Sequence, residues 1–81
     1  MDADLDTTLN FCMVNLVLCE LTYGGETRYV EGYSFKITKA GNRLFYAYCY
    51  KDNRINSFRM DRIEAAQATT HKYSPRWSVV P

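Results

Sequence analysis

The guanidinium groups of Arg43, Arg59 and Arg62 and the phenol rings of Tyr46, Tyr48 and Tyr50 fall within one stretch, Arg43 to Ile63. Two runs rich in aromatic and β-branched residues flank the polar turn Lys51-Asp52-Asn53-Arg54, which is a hairpin signal. With Asp52 and Asn53 as the tip, the register follows. Phe45, Ala47 and Cys49 then oppose Met60, Phe58 and Asn56 on an apolar face. Tyr46, Tyr48 and Tyr50 oppose Arg59, Ser57 and Ile55 on the other. The same register sets Arg43 opposite Arg62, with Arg59 a short step away. Like charges facing each other in a sheet are destabilising unless neutralised. A phosphate neutralises them, and guanidinium forks match phosphate oxygens. The competing reading pairs these arginines on the surface with Asp61, Glu31 or Glu64, as exposed ion pairs are common.

The tyrosine face has two readings of its own. Phenol rings stack on planar bases. They also suit half-wet interfaces, so the N-terminal helix, the tail or a second copy of the chain is the alternative cover. Trp77 is expected to pin the tail.

These side chains must be positioned by a small set of elements. Residues 4–15 place Leu5, Leu9, Cys12 and Met13 on one helical stripe that Leu16 continues. Residues 16–23 read as a strand closed by the turn Gly24-Gly25-Glu26. Residues 27–37 read as a long second strand in which Gly32 marks a bulge or bend. Gly41-Asn42 supplies a turn before the hairpin. Residues 63–70 combine helix-favouring alanines with a threonine-rich end, and the short gap after strand four makes them a fifth strand. Residues 71–81 form an irregular tail with its aromatics folded back. Short strands joined by tight turns predict one mainly β (α+β) domain over 1–81, a bent five-stranded barrel with a short N-terminal helix.

Composition narrows the class. A chain of 81 residues buries about 60% of its unfolded surface, so self-association would help it. Three cysteines, Cys12, Cys19 and Cys49, without Cys-x-x-Cys spacing predict free thiols in a reducing, cytoplasmic setting. The acidic start lacks a signal-peptide pattern, and apolar runs such as Leu16–Cys19 are too short for a membrane span. The net charge of +1 conceals an acidic lead-in, residues 1–20, and a body of +5, residues 21–81, which suits an anionic ligand. His71 is the lone histidine and the cysteines lack ligand spacing, so no metal and no cofactor is expected. There is no phosphate-binding glycine loop, nothing in the sequence supports a Cys–His nucleophile pair, and no carboxylate pair stands out for acid–base work, so the chain is not expected to be an enzyme.

The segment Arg28 to Ile63 resembles the WYL domain, a bacterial regulatory module. The matching features are Tyr23-Gly24, Arg28-Tyr29-Val30-Glu31 with Gly32-Tyr33, Leu44-Phe45-Tyr46-Ala47-Tyr48, and above all Phe58-Arg59-Met60-Asp61-Arg62-Ile63. Tyr73-Ser74-Pro75 is similar to the aromatic-x-Pro that often follows. The chain departs from the pattern at Arg43-Leu44-Phe45, where the Trp-Tyr-Leu signature stands. It also departs at Gly32, in place of a proline, and at Asn56, in place of an arginine. The resemblance implies an SH3/Sm-like barrel, adds Arg28 to the anion-binding set Arg43, Arg59 and Arg62, and implies sensing of nucleotides or single-stranded nucleic acid. Because such domains usually follow a DNA-binding winged helix, it also implies a separate DNA-binding or effector protein as partner. The expectation is therefore a non-enzymatic ligand- or nucleic-acid-sensing module. The alternative is a homodimer that uses the tyrosine face as its interface.

Overall fold

The computed structural model describes the backbone of residues 2–81 and the side chains of residues 5–81. One helix, α1 (Asp2–Asn15), precedes five strands: β1 (Val17–Tyr23), β2 (Glu26–Ile37), β3 (Arg43–Cys49), β4 (Arg54–Arg59) and β5 (Ile63–Lys72). A 3₁₀ turn, Met60–Arg62, links β4 to β5. The strands form one antiparallel sheet in the order β4-β3-β2-β1-β5. This is the expected SH3/Sm-like arrangement, a strongly bent sheet whose edge strands β4 and β5 do not close on each other. No helix among the described residues is long and apolar enough to cross a membrane.

The bend is made in β2. Its first half pairs with β1 as far as Cys19↔Val30, and its second half pairs with β3 from Val30↔Cys49 to Ile37↔Arg43. A bulge between Gly32 and Ser34 turns the strand just after it passes from one neighbour to the other, as an extra residue on one side of a ladder does. The concave face takes α1. Leu9, Cys12 and Met13 reach the core, where they meet Val30, Phe45, Ala47, Cys49 and Phe58. Fully burying an aliphatic or aromatic side chain of this kind contributes about 1.5–3 kcal/mol. The alanines of β5 have their reason here. α1 lies over β5, and Ala66 and Ala68 pack against the core beneath it, so small side chains let the helix approach. β5 runs two residues further than expected, to Lys72.

The β3–β4 register differs from the expectation by two residues. Phe45 faces Phe58 rather than Met60, Ala47 faces Asn56 rather than Phe58, Tyr46 faces Ser57 rather than Arg59, and Tyr48 faces Ile55 rather than Ser57. The connection is the longer turn Tyr50–Asn53, so Tyr50 leaves the strand. Asn53 takes the left-handed backbone (φ 54) that closes such a turn, and Asn56 Nδ2 donates to Asp52 at 2.8 Å across its base. Because side chains alternate with a period of two, a slip of two preserves every face. Phe45, Ala47, Cys49 and Phe58 are all buried. What the slip removes is the opposition of Arg43 and Arg62. Arg43 pairs with Ile37 of β2, and Arg62 lies in the 3₁₀ turn.

Candidate functional site

Three of the four arginines singled out from the sequence gather round the 3₁₀ turn. Arg43, at the start of β3, donates to Asp6 Oδ1 of α1 at 3.0 Å. Arg59, at the end of β4, forks onto Asp61, with Nε at 3.1 Å from Oδ1 and Nη2 at 2.8 Å from Oδ2. The same Nη2 reaches Asn42 Oδ1 at 3.3 Å. A hollow of about 610 Å³ opens between α1, the β2–β3 turn and the 3₁₀ turn, lined among others by Asp6, Asn42, Arg43, Met60 and Asp61. A second, of about 460 Å³, holds Arg62 and Glu64 and shares Asp61 and Ile63 with the first. The hydrogen bond from Arg59, aided by the nearby positive charge of Arg59 and Arg62, outweighs the opposing effect of burial and holds the Asp61 carboxyl below its ordinary range.

Arg28 stands apart. It lies on β2 opposite Leu21 of β1, and its guanidinium donates to the Tyr23 carbonyl and to Glu26 Oε1, each at 3.1 Å. Asp52 lies 3.8 Å away, and the Phe58 ring centroid 5.9 Å. Its side chain is 11% exposed, so it seals one end of the bent sheet beneath the β3–β4 turn. Glu26 also takes an ion pair from Lys51.

The tyrosine face is occupied by the tail. Arg76 stacks on the Tyr48 ring at 3.9 Å. Trp77 meets Tyr33 edge-on at 5.2 Å between centroids and Tyr48 at 6.4 Å, which is the pinning role expected of it. Under the tail lies Glu31, which the surface-pair reading had treated as an exposed acid. It is instead the one buried charged side chain among the described residues, at 2% exposure. Its carboxylate accepts the Tyr33 hydroxyl at 2.5 Å, the Tyr50 hydroxyl, and Arg76 Nε at 3.1 Å. The Tyr33 oxygen in turn accepts the Arg76 amide at 2.9 Å. Tyr73 donates to the Gly32 carbonyl at 2.8 Å. Of the three rings proposed for stacking, Tyr48 and Tyr50 are thus engaged by this hub and its strap. Tyr46 is half-buried, diagonal to Arg59 across the β3–β4 ladder. Sequence reading missed the Glu31–Arg76 pair. Its one signal was a carboxylate on a strand between residues that are buried on both faces.

The hub makes the strap pH-dependent at both ends. Burial pushes Glu31 up, but hydrogen bonds from Tyr33 and Tyr50 and the pair with Arg76 outweigh it and hold the carboxyl below its ordinary range. A carboxyl lower in the folded state contributes stability above the unfolded value, roughly 4.3, and loses it as pH falls through the folded value. Tyr33 goes the other way. Burial first, then the bond to Glu31, pushes it up to about 12. Its contribution is complete below the unfolded tyrosine value, about 10, and is lost as pH rises through the folded one. Trp77 fluorescence followed against pH should therefore be flat from roughly pH 5 to 10, with tail release beyond each end. A midpoint between pH 6 and 9 would contradict this assignment.

No protein-family model and no curated protein matches the chain. Among solved structures it is similar to proteasome accessory factor B/C (PafBC) of Arthrobacter aurescens, with a TM-score of 0.82 at 19% identity. The match takes in 90% of this chain and 12% of that one. At that identity the likeness establishes a shared fold.

Proposed function

We propose that this chain is a non-enzymatic regulatory module that takes an anionic, nucleotide-like or single-stranded nucleic-acid ligand beside its 3₁₀ turn. Arg43, Arg59 and Arg62 hold phosphate, and Tyr46 offers a ring for the base. The observation that carries this reading is the placement of Arg43 in the wall of one hollow and Arg62 in the wall of the adjoining one, with Arg59 bonded to Asn42 and Asp61 beside them. Tyr46 and Arg59 are diagonal neighbours on the outer face, about 7–8 Å apart at their α-carbons in a regular sheet, within the reach of one nucleotide. Arg28 supports the site from a distance through the Tyr23 carbonyl, while the Tyr23 hydroxyl accepts the Arg59 amide at 3.3 Å. The fold shared with an accessory factor and the resemblance of Phe58–Ile63 to WYL domains support a regulatory role. A separate DNA-binding or effector protein in the cytoplasm would then carry the output.

In this reading Asp6 and Asp61 occupy the guanidinium forks until an anion replaces them. Nucleotides and short single-stranded oligonucleotides should raise the melting temperature at low salt and lose affinity steeply as salt rises. Arg59→Ala should abolish the shift while leaving the chain folded. Asp61→Asn removes the competing charge and should tighten binding about threefold to tenfold, as one unit charge at contact distance does in a solvated site. Titration calorimetry of the three proteins decides. No stabilisation by either ligand class at low salt, or weaker binding by Asp61→Asn, would end the proposal.

A second reading, self-association, rests on Ile55, exposed on the edge strand β4, and on the exposed Tyr50 and Trp77, which flank its ladder partner Tyr48. It requires a dimer in light scattering that Ile55→Glu dissolves. A monomer at high concentration rejects it.

A further inference from the structure

The second half of β2 has a free edge. Beyond Cys19↔Val30 it has no partner on the β1 side, and the chain's own tail takes that place. The Val80 amide donates to the Tyr33 carbonyl at 2.8 Å in a parallel bridge between Ser34 and Val80. This is main-chain pairing of the kind by which sheets accept extended peptides. Side-chain recognition is supplied beside it. The Glu31 carboxylate lies at the base, the Tyr33 and Tyr48 rings receive the Trp77 indole, and Tyr48 receives the Arg76 guanidinium.

Receptor and guest differ in how firmly they are built. Glu31 is aimed by Tyr33 and Tyr50, which belong to the body of the fold. Its side chain is 3% exposed, whereas that of Arg76 is 45% exposed. Trp77 and Val80 are exposed as well. The carboxylate is therefore aimed by the body of the fold, and the exposed, irregular Arg76–Trp77 segment lies on it between the buried Tyr73 and the half-buried Val79. Leaving a buried carboxylate without its cation is costly. Departure of Arg76 is coupled to arrival of another guanidinium, and the groove exchanges one arginine segment for another.

We infer that the groove formed by Glu31, Tyr33, Tyr48 and Tyr50 is a docking site for an extended protein segment that carries arginine followed by an aromatic residue. Residues 73–81 are its resident occupant in cis. The charge of Glu31 selects arginine, the two rings select the aromatic neighbour, and the β2 edge selects extended backbone. The groove lies on the outer face of β2 and β3, apart from the hollows beside the 3₁₀ turn.

A fluorescent peptide copying residues 73–81 tests this on the full chain. A tethered tail competes at an effective concentration in the millimolar range. The folded Arg76→Ala/Trp77→Ala variant, with its resident strand weakened, should bind the peptide at least about tenfold more tightly than the unmodified chain. A peptide with lysine in place of arginine should lose most of that affinity, because it lacks the planar fork. Glu31→Gln in the same background should lose it too. Absence of binding to the folded double variant overturns the inference, as does binding indifferent to the peptide's arginine. Should the double variant not fold, the unmodified chain decides. Excess peptide must displace the tail and expose the Val80 amide to hydrogen exchange, and unchanged protection at millimolar peptide overturns the inference.

Discussion

Glu31→Ala is expected to destabilise the protein by about 2–4 kcal/mol, the range for removing one partner of a buried, hydrogen-bonded charge. The substitution strips the acceptor from the Tyr33 and Tyr50 hydroxyls and from Arg76 together. Tyr33 is only 3% exposed, so water cannot readily replace what it loses. Domains of this size unfold with a small entropy, and the melting temperature should fall on the order of 10–20 °C. Glu31→Gln should cost less. Its amide oxygen still accepts a tyrosine hydrogen, although its NH₂ then faces the donors of Arg76. Arg76→Ala should also destabilise, because it leaves the carboxylate with its tyrosines alone. The two losses are not additive, since they break one contact. Urea unfolding of the single and double variants, with Trp77 fluorescence and far-UV dichroism recorded together, measures both terms. A Glu31→Ala protein within about 0.5 kcal/mol of the parent would show that the hub contributes specificity of tail placement and little stability.

Why that hub was not legible in the sequence, although most of the sheet was, follows from the range of the signals. Phe45, Ala47 and Cys49 alternate with tyrosines over adjacent residues, and Phe58 answers them a hairpin away. Local alternation therefore assigned the faces of β3 and β4 and survived the two-residue slip. The slip arose because Tyr50 has the character of a strand residue yet serves the turn, where Asn53 supplies the left-handed backbone. The helical stripe Leu9, Cys12 and Met13 was equally local, and all three are buried. Glu31 and Arg76, by contrast, are 45 residues apart, and Arg76 lies in a tail with no periodicity. The arginines were visible as arginines. Their carboxylates were less so, because Asp6 meets Arg43 across 37 residues of chain, while Asp61, two residues from Arg59, was within reach of a local reading.

Gly32→Ala is expected to be the most damaging single-methyl change in the sheet, and the reason is space rather than backbone conformation. A Cβ at this position would lie 2.9 Å from Met13 Cγ, 2.9 Å from Phe45 Cζ and 3.1 Å from Phe45 Cε1. Met13 has flexible torsions and can withdraw. The Phe45 ring is fully buried, with Phe35 5.6 Å away and Phe58 across the ladder. Relief must come from moving the ring or the bulge, and overpacking of this kind costs about 1–3 kcal/mol. Moving the bulge also shifts Glu31 and Tyr33 on either side of Gly32, and the Gly32 carbonyl that holds Tyr73. The tail should therefore loosen along with the core. Phe45→Leu removes both clashing ring atoms. In the Gly32→Ala background it should restore part of the lost stability, although it destabilises the parent on its own. Thermal unfolding of the four proteins, with hydrogen exchange at the Val80 amide, resolves the coupling. A Gly32→Ala protein that melts with the parent, or a cycle in which the two changes simply add, would mean that helix α1 and β2 can separate here without strain.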